Sequence, residues 1–212
     1  MTKIAATIAS DLLRIQAVTL RPNDPFTWAS GMHSPIYTDN RLTISYPDVR
    51  THIAEGIAAI IREQYPDTAV IAGVATAGIP HAAWVAQILS LPLIYVRSKP
   101  KDHGAGRQIE GVLKPGEKVV MLDDLISTGG SVLQAAKAVQ AAGGDIQAVG
   151  SIFSYQLAAA TTNFAAVKLP LFSLTNYTSL IEVARQADQI TADELASLHA
   201  WRQDPASWGA QH

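Results

Sequence analysis

The sequence predicts an α/β fold: a central, mostly parallel β-sheet flanked by helices. Short, continuous apolar stretches with strand character alternate with stretches of helical period through most of the chain. Strands without a polar face are typical of parallel sheets that helices cover on both faces. The chain has 212 residues, 48% of them hydrophobic and 16% charged, which is enough for a well-buried core. We therefore expect one domain over residues 1–212.

The N-terminal part of the chain carries two different patterns. Helical spacing of apolar residues predicts a first amphipathic helix through Ile4, Ile8, Leu12 and Ile15. Residues 21–44 instead hold three prolines, one glycine and several aromatic residues, which indicates short strands and turns.

A second helix is predicted from the next segment. Ser45 and Asp48 have the spacing of a capping box in front of a run of isoleucines at helical period. This helix should end before Pro66, because proline disfavours the helical conformation of the residue before it.

The remainder of the chain alternates between strands and helices. Strands are predicted at 69–74, 91–96, 117–123, 146–154 and 170–174. Helices are predicted at 78–90 and 131–142, with another between the last two strands. Thr191 and Glu194 predict the capped start of a final helix. Residues 97–116 are polar and glycine-rich, and a connection of this length is usually functional or disordered.

Residues 119–131, VVMLDDLISTGGS, are the first candidate site. The predicted strand ends in Asp123 and Asp124, and ligands of open α/β sheets bind beyond the carboxyl ends of the strands. A turn of hydroxyls and glycines, residues 127–131, then leads into a helix, whose free N–H groups and dipole favour an anion. One segment thus offers acceptors for hydroxyls and donors for a phosphate, which together suit a sugar phosphate.

The same segment has a purely structural interpretation. It lacks the lysine of a Walker P-loop and the spacing of the dinucleotide-binding glycine motif. An acidic turn followed by the start of a helix would have a similar sequence. The preceding strand and the following helix favour the functional interpretation.

A second candidate site is the basic, glycine-bearing loop RSKPKDHGAGRQIEG at 97–111. Against Asp102 and Glu110 it carries five basic side chains: Arg97, Lys99, Lys101, His103 and Arg107. Such a loop could close over a polyphosphate, although a solvated surface loop is the alternative. No His-x-x-x-His or His/Cys pattern accompanies His103, so a metal site is not indicated.

Composition excludes several classes of function. The net charge of −2 argues against a surface for nucleic acid, and the absence of cysteine excludes disulfides and thiolate metal sites. The N-terminal segment resembles neither a signal peptide nor a membrane span, and no stretch reaches the roughly 18 apolar residues of a membrane helix. We expect a cytoplasmic protein that binds no membrane.

The stretch VVMLDDLISTGGS resembles the phosphoribosyl-pyrophosphate (PRPP) binding motif of the type I phosphoribosyltransferases. Three further stretches resemble the orotate-specific family of that group. FTWASGMHSPIYTDNR (26–41) is similar to its N-terminal hood, the elements over about residues 1–45. GVATAGIPHA (73–82) is similar to its substrate and pyrophosphate loop, and RSKPKDHGAG (97–106) to its flexible catalytic loop.

This resemblance implies a type I phosphoribosyltransferase fold and the transfer of a phosphoribosyl group from PRPP to orotate. It implies that Asp123 and Asp124 hold the ribose hydroxyls and, with Lys101, are the catalytic residues. Ser127 would also contact orotate. The implied PRPP-binding set is Arg97, Lys101, His103, Asp123, Asp124, Leu125, Ile126, Ser127, Thr128, Gly129, Gly130 and Ser131.

The resemblance also implies a cofactor and a partner. Mg²⁺ would be carried mainly by PRPP rather than by a protein metal site. The catalytic loop would serve the active site of a second copy of the chain, so a homodimer is expected.

The chain departs from some members of the family at four places. Ser98 stands where many members have a lysine after the loop arginine, and Lys99, one residue further, could take the place of that lysine. Ala29 stands at a position of the hood where some members have a lysine. Thr76 and Ala77 replace a Tyr-Lys pair. The arginine that holds the orotate carboxylate in some members has no match in residues 151–158. Arg41 is either its replacement, a surface residue or a partner for Asp39.

Three other functions are compatible with parts of this pattern. A phosphoribosyltransferase for another base would share the PRPP motif but not the hood and catalytic loop. A PRPP-sensing regulator of transcription would keep the fold, bind nucleic acid and need no catalytic loop. A noncatalytic homologue would have no need for the acidic pair and the loop lysine.

Overall fold

A computed structural model of the protein describes residues 1–28, 31–99 and 108–209. The helices are α1 Lys3–Arg14, α2 Pro47–Gln64, α3 Gly78–Leu89, α4 Gly130–Ala141, α5 Ala158–Val167, α6 Tyr177–Gln186, α7 Ala192–Gln203 and α8 Pro205–Gly209, with a 3₁₀ helix at Asn40–Ser45. The strands are β1 Val18–Leu20, β2 Phe26–Thr27, β3 His33–Ser34, β4 Ile36–Thr38, β5 Val70–Val74, β6 Leu93–Val96, β7 Ile109–Glu110, β8 Lys118–Ile126, β9 Asp145–Ser154 and β10 Leu171–Asn176.

The central sheet has six strands in the order β10-β9-β8-β5-β6-β7. Every neighbouring pair is parallel except β6 and β7, which are antiparallel. This architecture confirms the predicted α/β class with a mostly parallel sheet. The carboxyl ends of β5, β8 and β9 therefore lie at one edge, where a ligand site is expected.

Side chains on the two faces of the sheet pack into two apolar cores. Val120 and Leu122 of β8 belong to a core with α1, α2, α3, α6 and α7. Their neighbours Val119 and Met121 pack on the opposite face with α4 and α5. The alternation follows from the two-residue period of a strand, and burial on both faces explains why the strands are continuously apolar.

Two small antiparallel sheets of two strands each make up the strands of the hood. β1 pairs with β4, and β2 pairs with β3, which confirms the short strands and turns predicted for residues 21–44. The C-terminal helices pack beneath them: the indole Nε1 of Trp201 donates a hydrogen bond of 3.1 Å to the carbonyl of His33. Trp201 also meets the ring of Trp28 with centroids 5.8 Å apart.

The capping box predicted at Ser45 and Asp48 is wrong. α2 begins at Pro47, and its N-cap is Tyr46, which makes no side-chain capping bond. The fixed φ of proline suits the first helical position, so the start does not depend on a hydroxyl cap. Asp48 instead pairs with Arg14 of α1 at 2.6 Å. The capping box of Thr191 and Glu194 is confirmed at the start of α7.

The structure corrects three further expectations. β8 continues past residue 123 to Ile126, because Leu125 and Ile126 still pair with Phe153 and Ser154 of β9. The stretch 97–116 contains the short edge strand β7, which pairs with β6. Helices α6 and α8 had not been predicted, since α6 follows β10 without any intervening turn residues.

Among the described residues, none of the helices combines the length and the apolar character that a membrane span requires.

Candidate active site

Two adjacent acidic residues, Asp123 and Asp124, lie near the carboxyl end of strand β8. Asp123 is buried, with 8% of its surface exposed, and Asp124 is half-buried. The backbone N–H of Asp124 donates to Oδ1 of Asp123 at 2.9 Å. The two side chains are also hydrogen-bonded to each other, so both carboxylates lie together at this end of β8. The pair is thus part of the strand and not of a turn beyond it.

Burial controls the protonation of this pair. Loss of solvation, followed by the charge of Asp124, raises the pKa of Asp123 to about 7. Burial also raises the pKa of Asp124, while its hydrogen bond with Asp123 and the positive charge of Arg41 act in the opposite direction. Ionised carboxylates are costly to bury. A ligand that brings hydroxyl donors or positive charge to the two carboxylates would offset that cost, so the pair is suited to bind such a ligand.

A turn over residues 127–129 leads from β8 into α4. Gly129 has a φ of +80°, and a Cβ there would lie 2.5 Å from the Phe164 ring of α5, so only glycine fits. Asn163 of α5 donates to the carbonyl of Thr128 at 2.9 Å and so fixes the turn. Thr128 and the first residues of α4, Gly130 and Ser131, are exposed. Their N–H groups lack helical acceptors, which makes the turn suitable for a phosphate.

The connection from β5 to α3 lies against the acidic pair. Its Ala75–Thr76 peptide bond is cis. Gly78, the first residue of α3, has Leu122 O and Asp123 Cα immediately next to it. The N-terminus of α3 is therefore in contact with the backbone that carries the two acids.

An aromatic cavity of about 390 Å³ lies between the hood and the end of β8. It is lined by Ser127 and Leu125 from the β8 segment and by Phe26, Trp28, Tyr37, Thr38 and Tyr155. The ring centroids of Trp28 and Tyr155 are 5.2 Å apart. This volume is sufficient for a small planar ring, and aromatic walls favour such a ligand.

The ends of the basic loop meet at the edge of the sheet. The N–H of Arg97 donates to the carbonyl of Gln108 at 2.9 Å, and Gln108 Nε2 donates to the carbonyl of Arg97 at 2.7 Å. The Arg97 guanidinium lies 3.6 Å from Glu110. Lys101 and His103 lie outside the described residues, so their predicted roles stay predictions.

Arg41 is held by its neighbour Asp39. Its Nε and Nη2 donate to the two carboxylate oxygens at 2.6 and 2.9 Å, and 66% of its side chain is exposed. The Arg41 guanidinium holds the pKa of the Asp39 carboxyl below its ordinary value. The interpretation of Arg41 as a partner for Asp39 is confirmed.

The structure adds site residues that the sequence interpretation had not singled out individually. Trp28, Thr38 and Tyr155 line the aromatic cavity, although Trp28 and Thr38 fall within the stretch recognised as the hood. Asn40 donates to the backbone carbonyl of Asp124. Ile126, predicted to bind PRPP, has its side chain in the α4–α5 core, so only its backbone is available.

Comparison with known proteins identifies the class and the family. Residues 46–183 match the family model described as the phosphoribosyl transferase domain, and with the acidic pair and the glycine turn they define a phosphoribosyltransferase. The orotate phosphoribosyltransferase of Lactiplantibacillus plantarum is 82% identical over 209 residues, 99% of each chain. This chain belongs to the orotate phosphoribosyltransferase family.

Two solved structures are similar to the protein. Orotate phosphoribosyltransferase from Aeropyrum pernix aligns with a TM-score of 0.73 at 25% identity, covering 87% of this chain and 99% of that one. The UMP synthase of Leishmania donovani aligns with a TM-score of 0.80 at 27% identity. That alignment covers 94% of this chain but only 42% of the Leishmania chain. The fold class predicted as type I phosphoribosyltransferase is confirmed.

Proposed function

We propose that the protein transfers the phosphoribosyl group of PRPP to N1 of orotate, a pentosyl transfer in the synthesis of UMP. The bond between C1 of the ribose and pyrophosphate breaks, the bond from C1 to N1 forms, and the products are orotidine 5′-monophosphate and pyrophosphate. The position of Ser127 carries the proposal. It belongs both to the turn that suits a phosphate and to the lining of the aromatic cavity, so one residue joins the two substrate sites.

The acidic pair and the turn are assigned to PRPP. Asp123 and Asp124 accept hydrogen bonds from the ribose hydroxyls and oppose the positive charge that develops on the sugar as pyrophosphate leaves. Residues 127–131 hold the 5′-phosphate through their N–H groups and hydroxyls. Holding both substrates also removes much of the entropic barrier of a two-substrate reaction.

The basic loop is assigned to the leaving pyrophosphate. Arg97 lies at its base, and Lys101 and His103 are assigned to the same group by the family pattern. Lys101 is the main catalytic candidate, because a cation at the leaving group stabilises the charge that develops there. Orotate's ring nitrogen is already acidic, so the reaction requires no strong general base.

Mg²⁺ is proposed as the cofactor. Carboxylates are hard oxygen donors of the kind that Mg²⁺ takes, and Asp123 and Asp124 supply two of them. The described residues include no group of three or more acidic, histidine or cysteine side chains placed to hold a metal. The family pattern implies that PRPP would provide most of the coordination. When bound, the ion neutralises charge on the leaving pyrophosphate.

A direct assay tests the substrate assignment. Purified protein is incubated with PRPP, Mg²⁺ and orotate, and the loss of orotate absorbance is followed, with uracil, hypoxanthine and adenine in parallel. Turnover of orotate alone is expected. Turnover of a different base would keep the PRPP site and refute the assignment of the hood cavity to orotate. Binding of PRPP without turnover of any base would favour the alternative function, a PRPP-sensing regulator of transcription.

We also propose a cytoplasmic homodimer in which the loop of one copy serves the site of the other. The test mixes two inactive variants, Lys101→Ala and Asp124→Asn, under conditions that exchange subunits. Random exchange would give mixed dimers with one intact site in two, so activity should recover to about a quarter of the wild-type value. A mixture that stays inactive, although light scattering shows dimers, would mean that each site uses its own loop.

A further inference from the structure

Three buried polar residues, Asn40, Thr43 and His81, form a chain of hydrogen bonds behind the acidic pair, and the chain passes through the backbone of Asn40. Asn40 Nδ2 donates to the backbone carbonyl of Asp124 at 2.7 Å. The Thr43 hydroxyl donates to the backbone carbonyl of Asn40 at 2.5 Å, and the ring Nε2 of His81 lies 3.3 Å from that hydroxyl. Asn40 and Thr43 are completely buried, and His81 is 1% exposed.

Chemistry fixes the direction of this chain. The Thr43 hydroxyl has one proton, which it gives to Asn40, so towards His81 its oxygen acts as an acceptor. His81 therefore carries its proton on Nε2. Burial lowers the pKa of His81 to about 4, so the ring stays neutral at physiological pH. The chain runs in one direction, from His81 through Thr43 and Asn40 to Asp124.

Asn40 occupies a position that a neighbouring strand leaves free. β5 pairs with β8 only as far as Leu122, so β8 extends beyond its neighbour at Asp124. There the N–H of Asp124 bonds the Asp123 side chain, and the carbonyl of Asp124 accepts from Asn40. A carbonyl without a partner is costly where water has little access, and the Asn40 amide satisfies the carbonyl of the half-buried Asp124.

The chain also joins three separate elements. Asn40 and Thr43 belong to the 3₁₀ helix of the hood, His81 to α3, and Asp124 to β8. The His81 ring packs against Trp84 with centroids 5.4 Å apart, and the Arg50 guanidinium lies 5.1 Å from the Trp84 ring. His81 is thus held in one orientation by α3 and α2.

We propose that Asn40 is a positioning residue for the reaction: it holds the backbone of Asp124 so that the acidic pair meets the ribose of PRPP, and Thr43 and His81 hold Asn40. This inference rests on the proposed function for its substrate. Neither Asn40 nor Thr43 need touch PRPP, because they act through the backbone that carries the carboxylate.

The test compares four variants in the full-length protein. Asn40→Ala removes the donor to Asp124. Thr43→Val removes the hydroxyl that supports Asn40 and keeps the side-chain shape, whereas Thr43→Ser restores the hydroxyl. Thr175→Val is the matched control: Thr175 is completely buried in β10, and its hydroxyl has no partner within the described part of the chain.

Mg-PRPP binding is measured by calorimetry, kcat and both KM values by the orotate assay, and folding by thermal melting. Asn40→Ala should weaken PRPP binding about tenfold and lower kcat/KM for PRPP at least as much, because small displacements of an active-site group are costly. Its KM for orotate should stay within about twofold of wild type, since the PRPP contacts change and the aromatic cavity does not. Thr43→Val should show a smaller loss in the same direction, and Thr43→Ser and Thr175→Val should match wild type.

Several results would overturn the inference. Wild-type PRPP binding and kcat in folded Asn40→Ala would do so, as would an equal loss in Thr175→Val, which would indicate general destabilisation. If Asn40→Ala does not fold, the comparison of Thr43→Val with Thr43→Ser decides. Equal PRPP affinity and equal kcat/KM in these two variants would refute the inference. The proposed function fails separately, when the wild type binds PRPP but does not consume orotate; the calorimetry then still tests Asn40. A wild type that does not bind PRPP would overturn both.

Discussion

Gly78 lies so close to the backbone carbonyl of Leu122 that no side chain fits between them. The contact sets the first residue of α3 directly against the strand that carries Asp123 and Asp124. The contact requires glycine at the first position of α3, because any larger residue would push the helix away from β8 and its two acids.

Gly78→Ala should destabilise the protein by about 3 kcal/mol, since the new Cβ overlaps backbone atoms that cannot move aside. Gly130→Ala is the matched control, because Gly130 is also the first residue of a helix, but a Cβ there would make only an ordinary contact of 3.7 Å with Thr128 Oγ1. The control should be neutral or slightly stabilising, as alanine favours helix. Urea unfolding of both variants measures this, and equal stability of the two would contradict the contact with Leu122.

Asp123→Asn should stabilise the protein at high pH and inactivate it. Burial raises the pKa of Asp123 to about 7 in the folded state, above its ordinary value of 3.8. As pH rises from about 4 to 7, the unfolded chain loses this proton before the folded one does, so wild-type stability falls. The variant does not titrate here, and its advantage should grow to about 2–4 kcal/mol at pH 8. Thermal melting at pH 5 and pH 8 checks this, and a difference independent of pH would refute the burial argument.

Lys101→Ala should lower turnover far more than it lowers PRPP affinity. A cation at the leaving pyrophosphate acts mainly in the transition state, so we expect kcat to fall about 100-fold and PRPP affinity to change less than about threefold. Lys137→Ala on the exposed side of α4 is the control for loss of a positive charge. Steady-state kinetics and calorimetry measure the two effects. Unchanged turnover would remove Lys101 from the mechanism.

Trp201→Ala should destabilise the protein by about 3–5 kcal/mol, because it empties a fully buried aromatic position. Trp201→Phe keeps most of the bulk but loses the hydrogen bond to His33, and should cost about 1–2 kcal/mol. Trp201 supports Trp28 and Tyr155 in the aromatic cavity, so the alanine variant should raise KM for orotate more than KM for PRPP. Equal changes in the two KM values would contradict the claim that Trp201 supports the aromatic cavity.

The parts of the site that are contiguous in the chain could be predicted from the sequence. Asp123, Asp124 and the turn at 127–131 follow one apolar strand, and the order of strand, acids, glycines and helix is visible in a single segment. The end of β8 could not be placed correctly, because pairing with Phe153 and Ser154 of β9 extends the strand and is a tertiary effect.

The parts that depend on distant contacts could not be predicted. Asn40 lies 84 residues before Asp124, and nothing in the local sequence indicates that its amide meets that carbonyl. The capping spacing of Ser45 and Asp48 was misleading because Pro47 starts the helix by its own backbone constraint. Trp201 had no assignable role in the sequence, since its partners Trp28 and Tyr155 come from two other segments.

The bond from Trp201 to His33 spans 168 residues and has a consequence for biosynthesis. The hood is among the first parts of the chain to leave the ribosome, yet the helix that supports it is translated long after. Domains acquire their structure as the chain emerges, and a contact this distant in sequence can form only when its second half is available. The nascent chain can therefore build its sheet before its aromatic cavity, and a ribosome that stalls before residue 201 would expose the acidic pair and the glycine turn beside an unfinished hood.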